Sequence, residues 1–82
     1  MWPSKVKKAL RERRYAAFAS LLKDERKKAG ITQAKLAKKL RRPQSYVSKY
    51  ERGDRRLDVI EFLEIAQAIK FDPNEFLHRL DF

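Results

Sequence analysis

The segment 32–53, which reads TQAKLAKKLRRPQSYVSKYERG, predicts two short helices joined by a tight turn. Apolar residues recur there at intervals of three and four, which predicts one helix over 33–40 and a second over about 43–51. Only Arg41 and Arg42 remain between the two helices. A connection this short prevents them from lying antiparallel, so they must cross at a steep angle, as in a helix-turn-helix.

The ends of these two helices carry their own sequence signals. Thr32 is a favourable N-cap for the first helix. Pro43 suits the first position of the second helix, where its missing N–H costs no hydrogen bond, and Gly53 ends that helix. The residues expected on the inward faces of the two helices are Leu36, Ala37, Leu40, Val47 and Tyr50.

Helical periodicity continues on both sides of this segment, and no strand-like alternation is present. A first helix is predicted from about Arg11 to Ala29, ended by Gly30. Asp58 and Glu61 form a capping-box pattern before a fourth helix. The same signal, in Asp72, Pro73 and Glu75, precedes a short fifth helix containing Phe76, Leu77 and Leu80. The buried stripes are predicted to contain Tyr15, Phe18, Leu22 and Ala29 in the first helix, and Phe62, Ile65, Ala66 and Ile69 in the fourth.

The chain is therefore expected to be all-α, with five helices in one compact domain over residues 11–82 and the helix-turn-helix at 33–52. Eighty-two residues are enough for a single core. Residues 1–10 are either a frayed arm or an extension of the first helix, and partial order is favoured.

Charge is distributed unevenly along the chain. Residues 1–56 contain 19 Lys and Arg against 5 Asp and Glu, a net charge of +14, whereas residues 57–82 contain 2 against 6, a net charge of −4. This asymmetry suggests one surface that faces a polyanion and another with a separate role. Charge alone leaves nucleic acid and an anionic membrane equally open.

Several classes of function are disfavoured by composition. The chain has no cysteine, and its one histidine, His78, has no plausible catalytic partners nearby in the sequence. No glycine-rich loop is present to hold nucleotide phosphates. We therefore expect no enzyme activity, and no metal, cofactor or small-molecule ligand. Neither a secretory signal nor an apolar run long enough to span a bilayer is recognisable, so a cytoplasmic protein without membrane association is expected.

Polar residues on the second helix of the predicted helix-turn-helix carry the functional signal. If Val47 and Tyr50 point inward, then Gln44, Ser45, Ser48 and Lys49 must point outward. Such residues usually form only a solvated helix face. Here, however, glutamine and lysine are side chains that read base edges in the major groove.

With these residues in place, the chain closely resembles the phage repressor/Cro-like, or XRE, family of helix-turn-helix regulators. The resemblance covers roughly residues 15–80. It is carried by Leu22, Arg26, Gly30, Ile31, Thr32, Gln33, Leu36, Ala37, Leu40, the run 44–53 (QSYVSKYERG), Leu63, Ile65, Ala66, Ala68 and Ile69. It implies a five-helix repressor-like domain whose recognition helix, about 43–51, enters the major groove of double-stranded DNA.

The resemblance also implies a role for each matching residue. Base-reading residues would be Gln44, Ser45, Ser48 and Lys49. Phosphate-binding residues would be Gln33, Arg42, Tyr46, Arg52, Arg55 and Arg56, with Tyr46 or Ser48 also packing against a thymine methyl group. Arg26 would pair with Glu51 and lock the recognition helix to the scaffold. Arg41 and Lys70 stand where the family usually has glycine, so the turn is expected either to use another conformation or to tolerate the cost of a non-glycine residue with positive φ.

These features predict a sequence-specific transcriptional regulator, such as a repressor, that binds a palindromic operator as a homodimer. The alternative is an antitoxin- or controller-type module whose main role is to bind a partner protein through its acidic C-terminal third. In either case Phe76, Leu80 and Phe82 are the expected dimer or partner surface.

Overall fold

The computed structural model describes residues 4–80, which form five α-helices and no β-strand. The helices are α1 (Ser4–Lys28), α2 (Gln33–Leu40), α3 (Gln44–Glu51), α4 (Val59–Ile69) and α5 (Pro73–Arg79). The predicted all-α class and helix order are confirmed. Helix α1 begins seven residues before the expected start at Arg11, so residues 4–10 are its first turns, and residues 1–3 lie outside the described part of the chain.

Side-chain caps begin three of the helices, as their sequences predict. The Thr32 hydroxyl accepts a hydrogen bond of 3.1 Å from the Lys35 N–H at the start of α2. Asp58 accepts one of 2.8 Å from the Glu61 N–H, and Glu61 accepts one of 3.0 Å from the Asp58 N–H, which completes a capping box on α4. At α5, Asp72 accepts its bond from a nearer residue, through the Asn74 N–H at 2.9 Å.

Two local predictions were wrong. Pro43 is the N-cap of α3 rather than its first helical residue, because its ψ of 154° is extended. The helix therefore begins at Gln44. Ala29 is exposed rather than buried, because it follows the last residue of α1.

Helices α1 to α4 are each followed within two residues by a left-handed residue, although only two of these residues are glycines. Gly30 and Gly53 have φ of 75° and 81°, and Arg41 and Lys70 adopt the same region with φ of 57° and 60°. After α2, the Arg42 N–H donates to the Ala37 carbonyl at 3.0 Å, which is the bond expected of a Schellman-type helix end. The turn thus has the ordinary Schellman-type geometry, although a non-glycine residue is strained in the left-handed region.

The core lies where α2 and α3 meet α1 and α4. Its fully buried members are Leu22, Leu36, Val47, Tyr50, Ile65 and Phe76. Phe76 of α5 completes it, with ring centroids 5.2 Å from Phe62 and 5.0 Å from Phe71. The expectation that Phe76 forms a partner surface was therefore wrong. Leu80 is half-buried against the core, and Phe82 lies outside the described residues.

Candidate nucleic-acid interface

Helix α3 presents to solvent the polar residues that the sequence analysis selected as base readers. Gln44, Ser45 and Lys49 are exposed, and Ser48 is half-buried. The Ser48 hydroxyl donates to the Ser45 carbonyl at 3.3 Å, which leaves its oxygen lone pairs available as acceptors. The opposite face of α3 is packed into the core, so the exposed side chains stand on a rigidly supported helix.

An ion pair fixes the C-terminal end of α3 to α1. Arg26 Nε lies 2.7 Å from Glu51 Oε2, and Arg26 Nη2 lies 3.1 Å from Glu51 Oε1. Arg26 Nη1 also donates to the Ile31 carbonyl at 2.9 Å, which ties the α1–α2 loop to the same group. The hydrogen bonds from Arg26 to Glu51 raise the pKa of the guanidinium, which favours its protonated, charged form.

Gln33 joins this pair. Its Nε2 donates to Glu51 Oε1 at 2.9 Å, and the side chain is half-buried at the first position of α2. The family resemblance implies a DNA phosphate contact for Gln33, and the contact within the protein uses one of its two amide N–H donors. The second donor and the first backbone N–H groups of α2 remain to bind an anion.

Glu61 brings two of the expected phosphate-binding arginines together. Arg55 makes a two-point contact with its carboxylate, at 2.9 Å and 3.2 Å, and Arg42 Nη2 lies 3.4 Å from Glu61 Oε2. Hydrogen bonds from Arg55, and then from the Asp58 N–H, lower the pKa of the Glu61 carboxyl. The turn before α3 and the loop after it are thus held by one side chain at the start of α4.

Tyr46 lies beneath these arginines rather than on the exposed face of α3. The guanidinium carbons of Arg42 and Arg55 lie 4.5 Å and 4.7 Å from the centre of its ring. Only 6 % of the residue is exposed. The expected packing of the Tyr46 ring against a thymine methyl group is therefore wrong, because the ring is enclosed by the protein and supports the arginines instead. A phosphate contact of Tyr46 stays a prediction.

The loop between α3 and α4 rests on Tyr15 of α1. The Leu57 N–H donates to the Tyr15 hydroxyl at 2.9 Å, and that hydroxyl donates to the Arg55 carbonyl at 3.2 Å. The Arg56 guanidinium lies 4.3 Å from the centre of the same ring. Sequence analysis treated Tyr15 only as a core residue, because no local signal identifies a hydrogen-bond partner some 40 residues away.

Arg52 has a looser attachment at the end of α3. Its Nε lies 3.0 Å from Asp54 Oδ2, and both side chains are about 60 % exposed. A pair this open contributes little to stability, so Arg52 can exchange its partner for a phosphate at low cost.

A set of apolar side chains lies on the surface of α4 and α5, and none of them was predicted from the sequence as a surface residue. Between 43 % and 70 % of each residue is exposed, and we call the set the apolar face: Val59, Ile60, Leu63 and Leu77. Two apolar surface grooves adjoin it and share Phe18 and Leu77. Val59 and Leu63 are four residues apart, so the sequence places them on one side of α4, next to its buried stripe. This spacing could have indicated the apolar face.

Residues 4–80 contain neither a membrane-spanning helix nor a cluster of metal ligands. None of the helices there is long and apolar enough to cross a membrane. The same residues contain no cluster of three or more His, Cys, Asp or Glu side chains suited to a metal ion.

The chain is similar to known proteins at the level of a family model and of solved structures. A family model described as helix-turn-helix matches residues 22–76. The chain is also similar to a solved structure titled XRE-family like protein from Pseudomonas syringae pv. tomato str. DC3000, with 48 % sequence identity, a TM-score of 0.88 and coverage of 94 % of each chain. No curated protein matches the chain.

Proposed function

Since the chain belongs to the XRE family of helix-turn-helix proteins, which are DNA-binding transcription regulators, we propose that it recognises a specific operator as a homodimer. One observation carries this proposal. Helix α3 exposes Gln44, Ser45 and Lys49 while the Arg26–Glu51 ion pair holds its far end in place. Such a helix can enter the major groove without losing further conformational freedom.

In this proposal the exposed side chains of α3 read base edges. Gln44 can make two hydrogen bonds to adenine, and Lys49 can donate to the N7 and O6 atoms of guanine. Ser45 and Ser48 can serve either as donors or as acceptors.

The arginines around α3 would bind the flanking phosphates. Arg42, Arg55 and Arg56 are already positioned by Glu61, Tyr46 and Tyr15, so little side-chain entropy remains to be lost on binding. Their contacts would set the register of the protein on the duplex without specifying its sequence. Gln33 would add a phosphate contact at the N-terminus of α2.

The apolar face supports the homodimer. We propose that two copies meet through Val59, Ile60, Leu63 and Leu77 around a two-fold axis, which places like patches on each other. This replaces the surface centred on Phe76. The two α3 helices would then face half-sites of a palindrome about 34–36 Å apart, one turn of DNA.

The same face also favours the second candidate, a module that binds a partner protein. Its exposed apolar residues lie in the acidic C-terminal third and would suit a partner with an apolar, positively rimmed surface. The two candidates differ in what covers the apolar face. A homodimer covers the face by itself, whereas a partner-binding module leaves it open until the partner is present.

Selection of binding sites from random duplexes with the purified protein tests the function. The proposal expects a palindromic motif to be enriched, and its half-site spacing reports the dimer geometry. A Gln44→Ala, Lys49→Ala double variant, whose two positions are exposed, is the matched control and should lose the motif. If wild-type protein enriches no motif, specific readout is refuted.

Light scattering at several protein concentrations tests the interface. Wild-type protein should be dimeric, and Leu63→Glu should be monomeric because it places a charge in the apolar face. Glu64→Gln, one residue along the same helix and also exposed, should remain dimeric. A wild-type protein that stays monomeric at all concentrations would favour the partner-binding candidate.

A further inference from the structure

One face of helix α1 changes from basic to apolar along the helix. Lys7, Arg11, Tyr15, Phe18 and Leu22 follow one another at intervals of three and four residues, so they share one side of the helix. From Tyr15 onward this side packs on the protein, but Lys7 and Arg11 are exposed. The face that enters the core in the second half of α1 is therefore basic in its first turns.

The charges in these first turns oppose helix stability. Residues 4–14 contain six Lys and Arg and one Glu, and the first turn of α1 contains no acidic residue. Positive side chains near a helix N-terminus are repelled by the helix dipole, and like charges four residues apart repel each other. A bound polyanion would remove both penalties.

The basic turns end, at Arg11, beside the loop that carries the proposed phosphate-binding arginines. Tyr15 holds Leu57 and Arg55 of that loop by hydrogen bonds. Arg11 lines one surface groove together with Tyr15 and Arg56. From Tyr15 to Lys7 the helix extends about 12 Å further. Duplex DNA carries about seven phosphate charges over this length of its axis.

We propose that Lys7 and Arg11 form a second phosphate-binding surface, which extends the backbone contacts of loop 52–58 along the duplex. This inference rests on the proposed function. The surface adds affinity that depends on salt concentration but not on base sequence, because these side chains reach the phosphate backbone of the DNA rather than the base edges. The first turns of α1 are then an electrostatic extension of the recognition surface.

Measurement of operator affinity against salt concentration tests this surface with two matched variants. Lys7→Gln with Arg11→Gln removes two charges from the first turns of α1. Lys23→Gln with Lys27→Gln removes two exposed charges, also four residues apart, from the other end of the same helix. Both variants have the same net charge, so any difference between them reports position.

The first variant should reduce the slope of log K against log[salt] by about 1.8, since each lost phosphate contact contributes about 0.9. It should weaken binding by about tenfold or more at 0.1 M salt, and it should select the same motif as wild-type protein. The second variant should keep the wild-type slope. Circular dichroism should show equal helix content in all three proteins.

Phosphate ethylation interference gives a second readout that does not depend on the salt slope. It should find phosphates whose ethylation blocks binding of wild-type protein but has no effect on the Lys7, Arg11 variant. Equal effects of the two double variants would show that only net charge matters and would overturn the inference. An unchanged slope in the first variant, with specific binding retained, would overturn it while the proposed function stands. Failure of wild-type protein to bind any duplex would overturn both.

Discussion

Arg26 and Glu51 meet in a two-point ion pair, with Nε 2.7 Å from Oε2 and Nη2 3.1 Å from Oε1. The two side chains are only 9 % and 3 % exposed. They lie near the C-terminal ends of α1 and α3, so the pair determines how the recognition helix sits on the scaffold. Removal of water from both charges is costly, so the pair contributes more to orientation than to stability.

The first prediction concerns loss of one member of this pair. Glu51→Ala should lower the free energy of unfolding by about 3–5 kcal/mol, because it leaves the Arg26 guanidinium buried without its counter-ion. Urea denaturation measures the change. Asp54→Ala is the control, since it removes the partner of Arg52 from an exposed pair and should cost at most about 1 kcal/mol. An unchanged urea midpoint for Glu51→Ala would contradict the prediction.

The second prediction separates base readout from backbone binding. Gln44→Ala or Lys49→Ala should each cost about 1–3 kcal/mol of operator affinity and relax the preference for one base pair. Arg52→Ala should weaken binding to all sequences alike and reduce the salt slope by about 0.9. Titrations against the operator and its single-base variants test both effects. If all three substitutions acted equally on every sequence, the proposed assignment of readers would be wrong.

The third prediction concerns the hydroxyl that anchors the α3–α4 loop. Tyr15→Phe should lower stability by about 0.5–1.5 kcal/mol, because the partly buried Leu57 N–H loses its acceptor. Tyr50→Phe is the contrasting change, since the Tyr50 hydroxyl is buried without a hydrogen-bond partner. Its removal should be neutral or slightly stabilising. Thermal unfolding of both variants provides the measurement, and equal losses would refute the anchoring role.

The fourth prediction concerns the strained turn of the helix-turn-helix. Arg41→Gly should stabilise the protein by about 0.5–1 kcal/mol, because Arg41 has a left-handed φ of 57° that glycine adopts without strain. Lys39→Gly, within α2, should instead cost about 1 kcal/mol, since glycine there only lowers helix propensity. Opposite shifts in melting temperature are expected. A loss of stability in both variants would show that the Arg41 side chain outweighs the strain.

The fifth prediction concerns acid stability. The folded protein lowers the pKa of Glu61 below its ordinary value of 4.5, chiefly through hydrogen bonds from Arg55. The contribution of Glu61 to stability is therefore complete above pH 4.5 and is lost as pH falls through the lower folded pKa. Glu61→Gln retains the capping group but not the charge. The stability gap between wild-type and Glu61→Gln protein should be constant from pH 7 to 5 and narrow below pH 4.5. A gap that stayed constant down to pH 3 would contradict this.

Local chemistry in the sequence was sufficient to predict the helices and most of the core. The caps at Thr32 and Asp58 act within three or four residues, so their partners can be read directly from the chain. The inward faces of α2 and α3 follow from the helical period. The exposed readers on α3 follow in turn, because Val47 and Tyr50 occupy its buried side.

Tertiary packing alone decided which boundary residues of the helices are buried. Tyr46 is next to the inward stripe of α3, and contacts with Arg42 and Arg55 from separate segments enclose it. In α5, a helix of two turns, the sequence does not determine which side meets the core. Phe76 is buried and Leu77 is exposed because the aromatic rings of α1 and α4 already define the space that a ring must fill.

The partners of the polar site residues were likewise beyond prediction from sequence. Glu61 binds Arg42 and Arg55, and Tyr15 binds the backbone at Leu57, 42 residues away. These bonds depend on how the helices cross, which no local pattern encodes. The sequence by itself determined the helix-turn-helix and its outward readers, through signals that act within one or two helical turns. Only the tertiary structure decided which surface is apolar and how the arginines are held, because those features arise from contacts between distant segments.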